Sequence, residues 1–379
     1  MVNALIDTVP SADLADRLSG LALQASRTGA DAIIIAPSAD MRYFVGASIS
    51  SHERLTALIV RAHGPVRMLV PALERLGWSG SPAEELGIEF ATWSDGEDAC
   101  ARVAALLPVD ARVLAVDYHM PAVHALGLQA AIPGSELRLA GEAIAELRMR
   151  KSSVEIEALK AVGAAIDRVH RRVGEWLRPG RTENEVAADI AAAIVAEGHE
   201  RPDFVIVGSG PNGASPHHEA SDRVIGEGEP VVIDIGGPAP SGYNSDCTRT
   251  YITAGGEIDP QVREVYEVVR AAQAAGVAAV RPGVTAESVD AASRLVIEKA
   301  GYGEYFITRT GHGIGLEVHE HPYLVEGNAQ VLEPGMAFSV EPGIYLPGKF
   351  GVRIEDIVIA TESGALLCNT APTELTVLD

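Results

Sequence analysis

The sequence predicts an α/β (α+β) chain built in two parts, and three observations carry that expectation. Short apolar, β-branched runs alternate with Ala- and Leu-rich stretches over residues 1–147, the pattern of strands and helices stacked in layers. A duplicated unit occupies residues 148–379, where RPGRTENEVAA (178–188) recurs as RPGVTAESVDA (281–291), an offset of 103. The length, 379 residues, also exceeds the roughly 250–300 residues beyond which single cores stop growing.

In the first part, AIIIA (32–36) is closed by Pro37 and suits a buried strand. Leu58-Ile59-Val60 and Arg67-Met68-Leu69-Val70 read as two further strands around a Gly64-Pro65 turn, and Val113–Val116 as a fourth. Residues 12–28 and 98–107 read as helices. No convergent set of catalytic residue types is found in this part.

The second part opens on a helix capped by Ser152 or Ser153, with Glu155 and Glu157 in its first turn. Leu159, Val162, Ile166, Val169, Val173 and Trp176 form its apolar stripe, and Pro179-Gly180 ends it. The boundary between the parts is expected near 145–152, at the basic cluster Arg148, Arg150 and Lys151. In each copy of the repeat a Thr (Thr182, Thr285) is expected to cap a helix and a Gly (Gly198, Gly301) to stop it. The alignment continues: VVIDIGG (231–237) against FSVEPGI (338–344) sets Asp234 opposite Glu341, and SDCTRTYI (245–252) against IEDIVIAT (354–361) sets Asp246 opposite Glu355. Two facing halves would gather all four acids at a seam.

Bulk properties narrow the function classes. A net charge of -22 argues against nucleic acid and anionic membranes as partners, since phosphate binding needs clustered Lys and Arg. Cys100, Cys247 and Cys368 are odd in number, distant and without CxxC spacing, so a reducing cytoplasm is expected rather than a disulfide framework. The N-terminal stretch MVNALIDTVPSADLADRL shows no leader pattern. No uncharged apolar stretch reaches the ~18 residues of a membrane helix.

Acids inside apolar strands, such as Asp234 in VVIDI, are costly to bury unless paired or bound to a cation. TGHGIGLEVHEHP (310–322) adds His312, flanked by glycines that leave room for close approach, together with His319 and His321. Four carboxylates and an imidazole suit Mn, Co, Zn or Fe(II), and two such ions would balance the charge. Arg353 lies two residues before Glu355; on one strand the two would share a face, so its guanidinium could orient a carboxylate.

These residues carry a resemblance. VVIDIGG, GYNSDCTRTY, TGHGIGLEVHE, SVEPGIY and VRIEDIV, in this order and spacing, resemble peptidase family M24, the creatinase/methionine aminopeptidase superfamily. The resemblance implies a pita-bread catalytic domain with a pseudo-two-fold internal repeat over 148–379. ADAIIIAPSADMRYFVG (30–46) resembles part of the smaller creatinase-type α/β N-terminal domain, here 1–147. It implies two divalent ions per subunit, Mn2+ first among the candidates, with Asp234 on one ion, His312 and Glu341 on the other, and Asp246 and Glu355 bridging both. It further implies His217 and His319 as active-site histidines, either able to steady an oxyanion, Glu341 as a proton shuttle, Arg353 at the site, and a homodimer. His218 is read as a surface residue, His321 as a loop or supporting residue, and Tyr243 and Tyr345 as pocket walls.

Asn212 and PHHEA (216–220), with the two-domain layout, resemble the Xaa-Pro peptidases. The implied activity is cleavage before proline in dipeptides or short peptides, as in prolidases, with aminopeptidase P action on longer peptides as the alternative. Strict dipeptidases often carry an Arg where this chain has Tyr323, which leaves the second behaviour open. The Pro238–Gly242 loop is expected to be longer than in many relatives. Metal-free creatinase-type hydrolysis, a non-catalytic pita-bread binding protein and a plain α/β metabolite-binding module are the rival readings, and none accounts for a complete set of ligand types.

Overall fold

The computed structural model describes residues 9–47 and 52–379; the N-terminal stretch read for a leader lies partly outside the described residues. The chain divides into two compact units, Met1–Arg148 and Met149–Asp379.

The first unit runs α1 (Ser11–Thr28), β1 (Ala32–Ile35), α2 (Ala39–Val45), β2 (Ala57–Arg61), β3 (Arg67–Pro71), α3 (Pro82–Glu85), β4 (Glu89–Trp93), α4 (Ala99–Leu106), β5 (Val113–Val116), α5 (Ala122–Ala131), β6 (Glu136–Leu139) and α6 (Gly141–Arg148). Its six strands form one sheet in the order β4-β3-β2-β1-β5-β6. β1 is buried at every position, as its unbroken apolar run predicts, and pairs antiparallel with β2 and parallel with β5. The outer strands β4 and β6 had no sequence signature. They sit at the sheet edges, where charged residues such as Glu89 and Glu136 interrupt the apolar pattern. Arg148, read as part of a boundary cluster, ends α6 and forms a buried pair with Asp40 at 2.6 Å.

The second unit runs α7 (Ser153–Arg172), α8 (Glu183–Ala196), β7 (Phe204–Ser209), β8 (Pro230–Pro238), β9 (Asn244–Ile252), α9 (Pro260–Ala279), α10 (Ala286–Lys299), β10 (Gly311–Gly313), β11 (Glu320–Leu324), β12 (Ala337–Val340), β13 (Gly343–Leu346), β14 (Phe350–Arg353), β15 (Asp356–Thr361), β16 (Gly364–Leu367) and β17 (Thr376–Val377). Its strands form sheets ordered β17-β9-β8-β7 and β11-β10-β12-β15-β16, with β13-β14 as a separate hairpin. The repeat is carried into the fold: α8 and α10 have 14 residues each and are separated by the same 103 positions. Gly198 and Gly301 follow them with positive φ of 109° and 85°, a conformation glycine adopts without steric cost.

Ser152 caps α7 through a capping box with Glu155. The helix ends at Arg172, before Pro179-Gly180, in a 3-10 turn over Val173–Glu175 that contains Gly174. That turn places Leu177 in the core, whereas Trp176 is only partly buried. Thr182 closes a second capping box, but Thr285, at the matching position, makes no side-chain cap. Arg150 and Lys151 are not a solvated linker either: Arg150 pairs with Glu333, and Lys151 with Glu320 in a buried pair.

Within the first unit, burial raises the pKa of Asp117 to about 6, opposed by the Ala36 N–H and reinforced by the nearby Asp40 charge. A raised acid pKa means that the folded chain binds the proton more tightly than the unfolded chain. The contribution of Asp117 therefore favours folding at low pH and is lost as pH rises from about 4 to 6. Asp117→Asn is expected to flatten this part of the stability curve. Calorimetric unfolding of both proteins across that range checks it, and parallel curves would refute it.

Candidate metal centre

The acidic residues of the second unit reach one seam from different elements. Asp234 lies in mid-β8 and Asp246 in β9, and the two strands pair in antiparallel register. Glu341 follows the last residue of β12 and Glu355 precedes the first of β15, so these two sit beside strand ends rather than within strands. β12 and β15 pair with Val340 opposite Asp356, which holds the two glutamates side by side. Asp246, His312 and Glu355 place one ligand atom each within 4.8 Å of one another, all buried. His312 Nε2 lies 3.5 Å from Asp246 Oδ2 and 3.1 Å from Glu341 Oε1.

The glycines around His312 serve the backbone. A Cβ on Gly311 would stand 1.9 Å from the Ser339 carbonyl oxygen, and one on Gly313 2.1 Å from that of His321. Only glycines let β10 fit between β11 and β12. The imidazole is oriented in turn. Its Nδ1 faces the Gly313 carbonyl at 3.1 Å, an acceptor only, so Nδ1 carries a proton and Nε2 is turned toward the carboxylates. The His312 N–H donates to Ser339 Oγ, which donates to Glu341 Oε1.

Arg353 is the cation built into this seam. It ends β14, whereas Glu355 precedes β15, so the shared-strand argument fails. The guanidinium nevertheless reaches the acids, donating to Asp234 Oδ2 at 2.5 Å, Thr248 Oγ1 at 3.1 Å, the Tyr345 hydroxyl at 2.8 Å and the Pro216 carbonyl at 3.2 Å. The Thr248 hydroxyl donates in turn to Glu355 Oε2 at 2.7 Å. One Arg balances part of the charge of four acids. Burial, then the charges of Glu355, Asp234 and Glu341, push the Asp246 carboxyl well above the usual range. Glu355 is displaced the same way by burial, Glu341 and Asp234. Burial also acts to raise Glu341, but the hydrogen bond and charge of His312, with Arg353, hold it below the ordinary value.

Two buried oxygens, Asp234 Oδ1 and Glu355 Oε1, have no hydrogen-bond partner among the described residues. Buried carboxylate oxygens without donors are costly. Together with an imidazole Nε2 turned toward carboxylates, they make a donor set that fits divalent cations of hard or borderline character.

A cavity of about 920 Å³ opens over the cluster, and all five groups and Arg353 line it. His217 and His319 are on its wall, with the His319 ring edge-on to His312 at 4.1 Å between centroids. His319 is open on the cavity side; partial enclosure, then the charges of His312 and Arg309, lower its pKa to about 4, so it is a neutral donor near pH 7. Phe204, Val205, Ile206 and Val318 supply an apolar wall. Neither this wall nor Arg309 had a sequence signal, because β7 reads as any buried strand and Arg309 precedes the glycine motif. Tyr243 and Tyr345 do not line the cavity. Tyr243 is buried and donates to Glu155 at 2.7 Å, while Tyr345 supports Arg353 from behind. His321 packs on Tyr323 in β11.

His218 is not a plain surface residue. It is part-buried and bonded at 2.8 Å to Glu183, the first residue of α8. The fully buried Glu183 carboxylate also accepts from the N–H and hydroxyl of Ser209, the N–H and hydroxyl of Ser221, and the Asn212 amide. One carboxylate thus gathers the loop from 209 to 221 that carries His217. Burial works to raise its pKa, but the bonds from Ser221, Ser209 and His218 outweigh it and lower the value to about 2. Its stabilisation is present above about pH 4.5 and is lost as pH falls toward 2.

Glu183→Gln turns an amide NH2 toward these donors. It is expected to cost about 1.5–3 kcal/mol, the worth of a hydrogen bond to a charged group, and to speed proteolysis within 209–221 while the α8 capping box remains. Equal cleavage rates in variant and wild type would refute the assignment. Arg353→Lys keeps the charge but cannot make four directed bonds. A fall of about tenfold or more in kcat/KM is expected, and wild-type kinetics would contradict it.

Residues 157–362 match the profile of metallopeptidase family M24, and residues 17–150 that of the creatinase/prolidase N-terminal domain. The chain is 52% identical over 364 residues to a probable dipeptidase PepE of Mycobacterium tuberculosis, spanning 96% of each. It is 37% identical over 338 residues to a Xaa-Pro dipeptidase of Lactobacillus helveticus, spanning 85% of this chain and 88% of that one. Among solved structures, dipeptidase PepE from Mycobacterium ulcerans superposes with a TM-score of 0.93 at 50% identity, covering 98% of this chain and 99% of that one. With its mixed α/β architecture and both domain matches, the chain belongs to metallopeptidase family M24.

Proposed function

We propose that this chain is a dinuclear-metal Xaa-Pro dipeptidase, hydrolysing the bond before proline in dipeptides. The observation that carries the proposal is the convergence of four carboxylates and one imidazole under the cavity, with two buried carboxylate oxygens lacking any partner. Relatives named Xaa-Pro dipeptidase, which match over most of the chain, support the substrate class. In this reading Asp234, Asp246, His312, Glu341 and Glu355 would hold the ions. Manganese suits such an oxygen-rich set. Cytoplasmic residence is supported by three free cysteines, and a homodimer is part of the proposal. No helix among the described residues is long and apolar enough to cross a membrane.

When bound, a divalent pair supplies a nucleophile at neutral pH and polarises the scissile carbonyl. The chain's own residues do the rest. His319, neutral and on the cavity wall, donates an N–H to the oxyanion that develops at the carbonyl, and His217 faces the same cavity as a second donor. Glu341, whose Oε1 is held by Ser339, takes a proton from the attacking water and delivers it to the imino nitrogen of proline as the C–N bond breaks. Arg353 pairs with Asp234 and ties the His217 loop to the seam through the Pro216 carbonyl. The apolar wall of Phe204, Val205 and Ile206 excludes water from the substrate.

Chelated protein is expected to cleave neither an Xaa-Pro dipeptide nor an Xaa-Pro-Yaa tripeptide, and added Mn(II) to restore the dipeptide activity first. Asp246→Asn removes a charge from this set, and metal content and turnover should both fall by roughly 100-fold or more, as for loss of a group made essential by metal chemistry. Full turnover in that variant, or hydrolysis of neither peptide under any metal, would remove the proposal.

A further inference from the structure

Among the described residues the His319 ring makes no hydrogen bond; it packs edge-on to His312 at 4.1 Å between centroids. Its direction is therefore set by the backbone that carries it, the connection 314–319 between β10 and β11. The two strands pair with Gly313 opposite Glu320, across a register shift that begins after His312. Within the connection, the Ile314 N–H donates to the Ala337 carbonyl. The Gly315 carbonyl accepts both the N–H and the side-chain amide of Asn244.

An ion pair lies beneath this connection. Lys151 Nζ donates to Glu320 Oε1, and the two side chains are 1% and 7% exposed. The connection folds directly onto the pair: a Cβ on Gly315 would stand 2.7 Å from Glu320 Oε1 and 3.0 Å from Lys151 Nζ. Glu320 is buried while His319, its neighbour in the chain, opens to the cavity, as where a strand begins and successive side chains take opposite faces. The lysine end is anchored too. The Lys151 N–H donates to the Gly335 carbonyl at 2.8 Å, and the Gly335 N–H to the Ala360 carbonyl at 2.8 Å, which ties its backbone to β15. Stripping two charges of water is costly, and apolar groups of similar volume often hold a fold as well. Stability alone therefore does not account for the pair; what it supplies is a fixed distance between two backbones.

We propose that Lys151 and Glu320 are positioning residues for His319: their buried ion pair holds the 314–319 connection down and so aims the His319 ring at the reacting carbonyl oxygen. This rests on the reading of the centre as a peptidase in which His319 meets the oxyanion. Neither residue of the pair lines the cavity, so both act through the backbone of the histidine and not on substrate. A group that stabilises developing charge works only at the place where that charge appears. A shift of about 1 Å at the reacting centre can cost on the order of 100-fold in rate. Substrate binding before the reaction makes no such demand on the ring.

The test separates ground state from transition state. Glu320→Gln, Lys151→Met and the double variant Lys151→Met/Glu320→Leu are compared with wild type, all Mn(II)-loaded. Calorimetry gives the affinity for a reduced-bond alanyl-proline, a ground-state mimic, and for a phosphinic isostere of alanyl-proline, whose tetrahedral oxygens mimic the oxyanion. Kinetics on Ala-Pro and backbone hydrogen exchange complete the set. Metal content and affinity for the ground-state mimic are expected to stay within about twofold, while kcat and phosphinate affinity fall together by roughly 10- to 100-fold. Exchange should quicken across 314–319 and stay unchanged in β8 and β9. The double variant leaves no lone buried charge and guards against misfolding of the single ones. Wild-type kcat in the three variants, or equal losses for both analogues, overturns the proposal. So does loss of metal and of exchange protection throughout the second unit in all three, the mark of a merely structural pair. If wild type cleaves no Xaa-Pro peptide, the proposed activity falls; exchange quickened only across 314–319 then keeps the hold of the pair on His319, and unchanged exchange removes that as well.

Discussion

Everything in the second unit answers to one constraint: four carboxylates share a seam from which water is largely removed. Like charges at such distances cannot all remain ionised without compensation. The fold meets part of the demand with Arg353, held 2.5 Å from Asp234, and part with hydroxyls such as Thr248 and Ser339. What remains, two partnerless oxygens and an imidazole nitrogen facing acids, is the demand a pair of cations would satisfy. The arrangement is rigid because each group hangs from a different strand. The β8–β9 hairpin presents the aspartates, β12 and β15 carry the glutamates at their ends, and the glycines of β10 admit His312 between two neighbouring backbones.

Much of this was legible in the sequence. An acid inside an apolar strand is conspicuous, and the same unit occurring twice multiplied the signal, so the five cluster residues could be picked out by number. The helix offset was equally visible, since α8 and α10 inherit it without change. Other features were hidden because their partners are distant. Tyr243 looked like a pocket residue but its hydroxyl belongs to Glu155, 88 positions away. Arg353 was singled out for a shared strand that does not exist; its strand ends before Ile354 and Glu355, and both side chains still face the seam. Edge strands β4 and β6 escaped because one half-exposed strand has no apolar run to read. Arg309 escaped because nothing local marks a cation that stacks on a ring fourteen positions later.

The matched helices hold one further lesson. Position 183 in the first copy corresponds to position 286 in the second. The first is a glutamate that gathers an entire loop, whereas the second is an alanine buried to 0% exposure. Both occupy the opening residue of a helix after a threonine, and only the glutamate copy retains the capping box. The two matched helices thus carry separate duties: one stations a histidine-bearing loop, while its twin presents a plain packing surface.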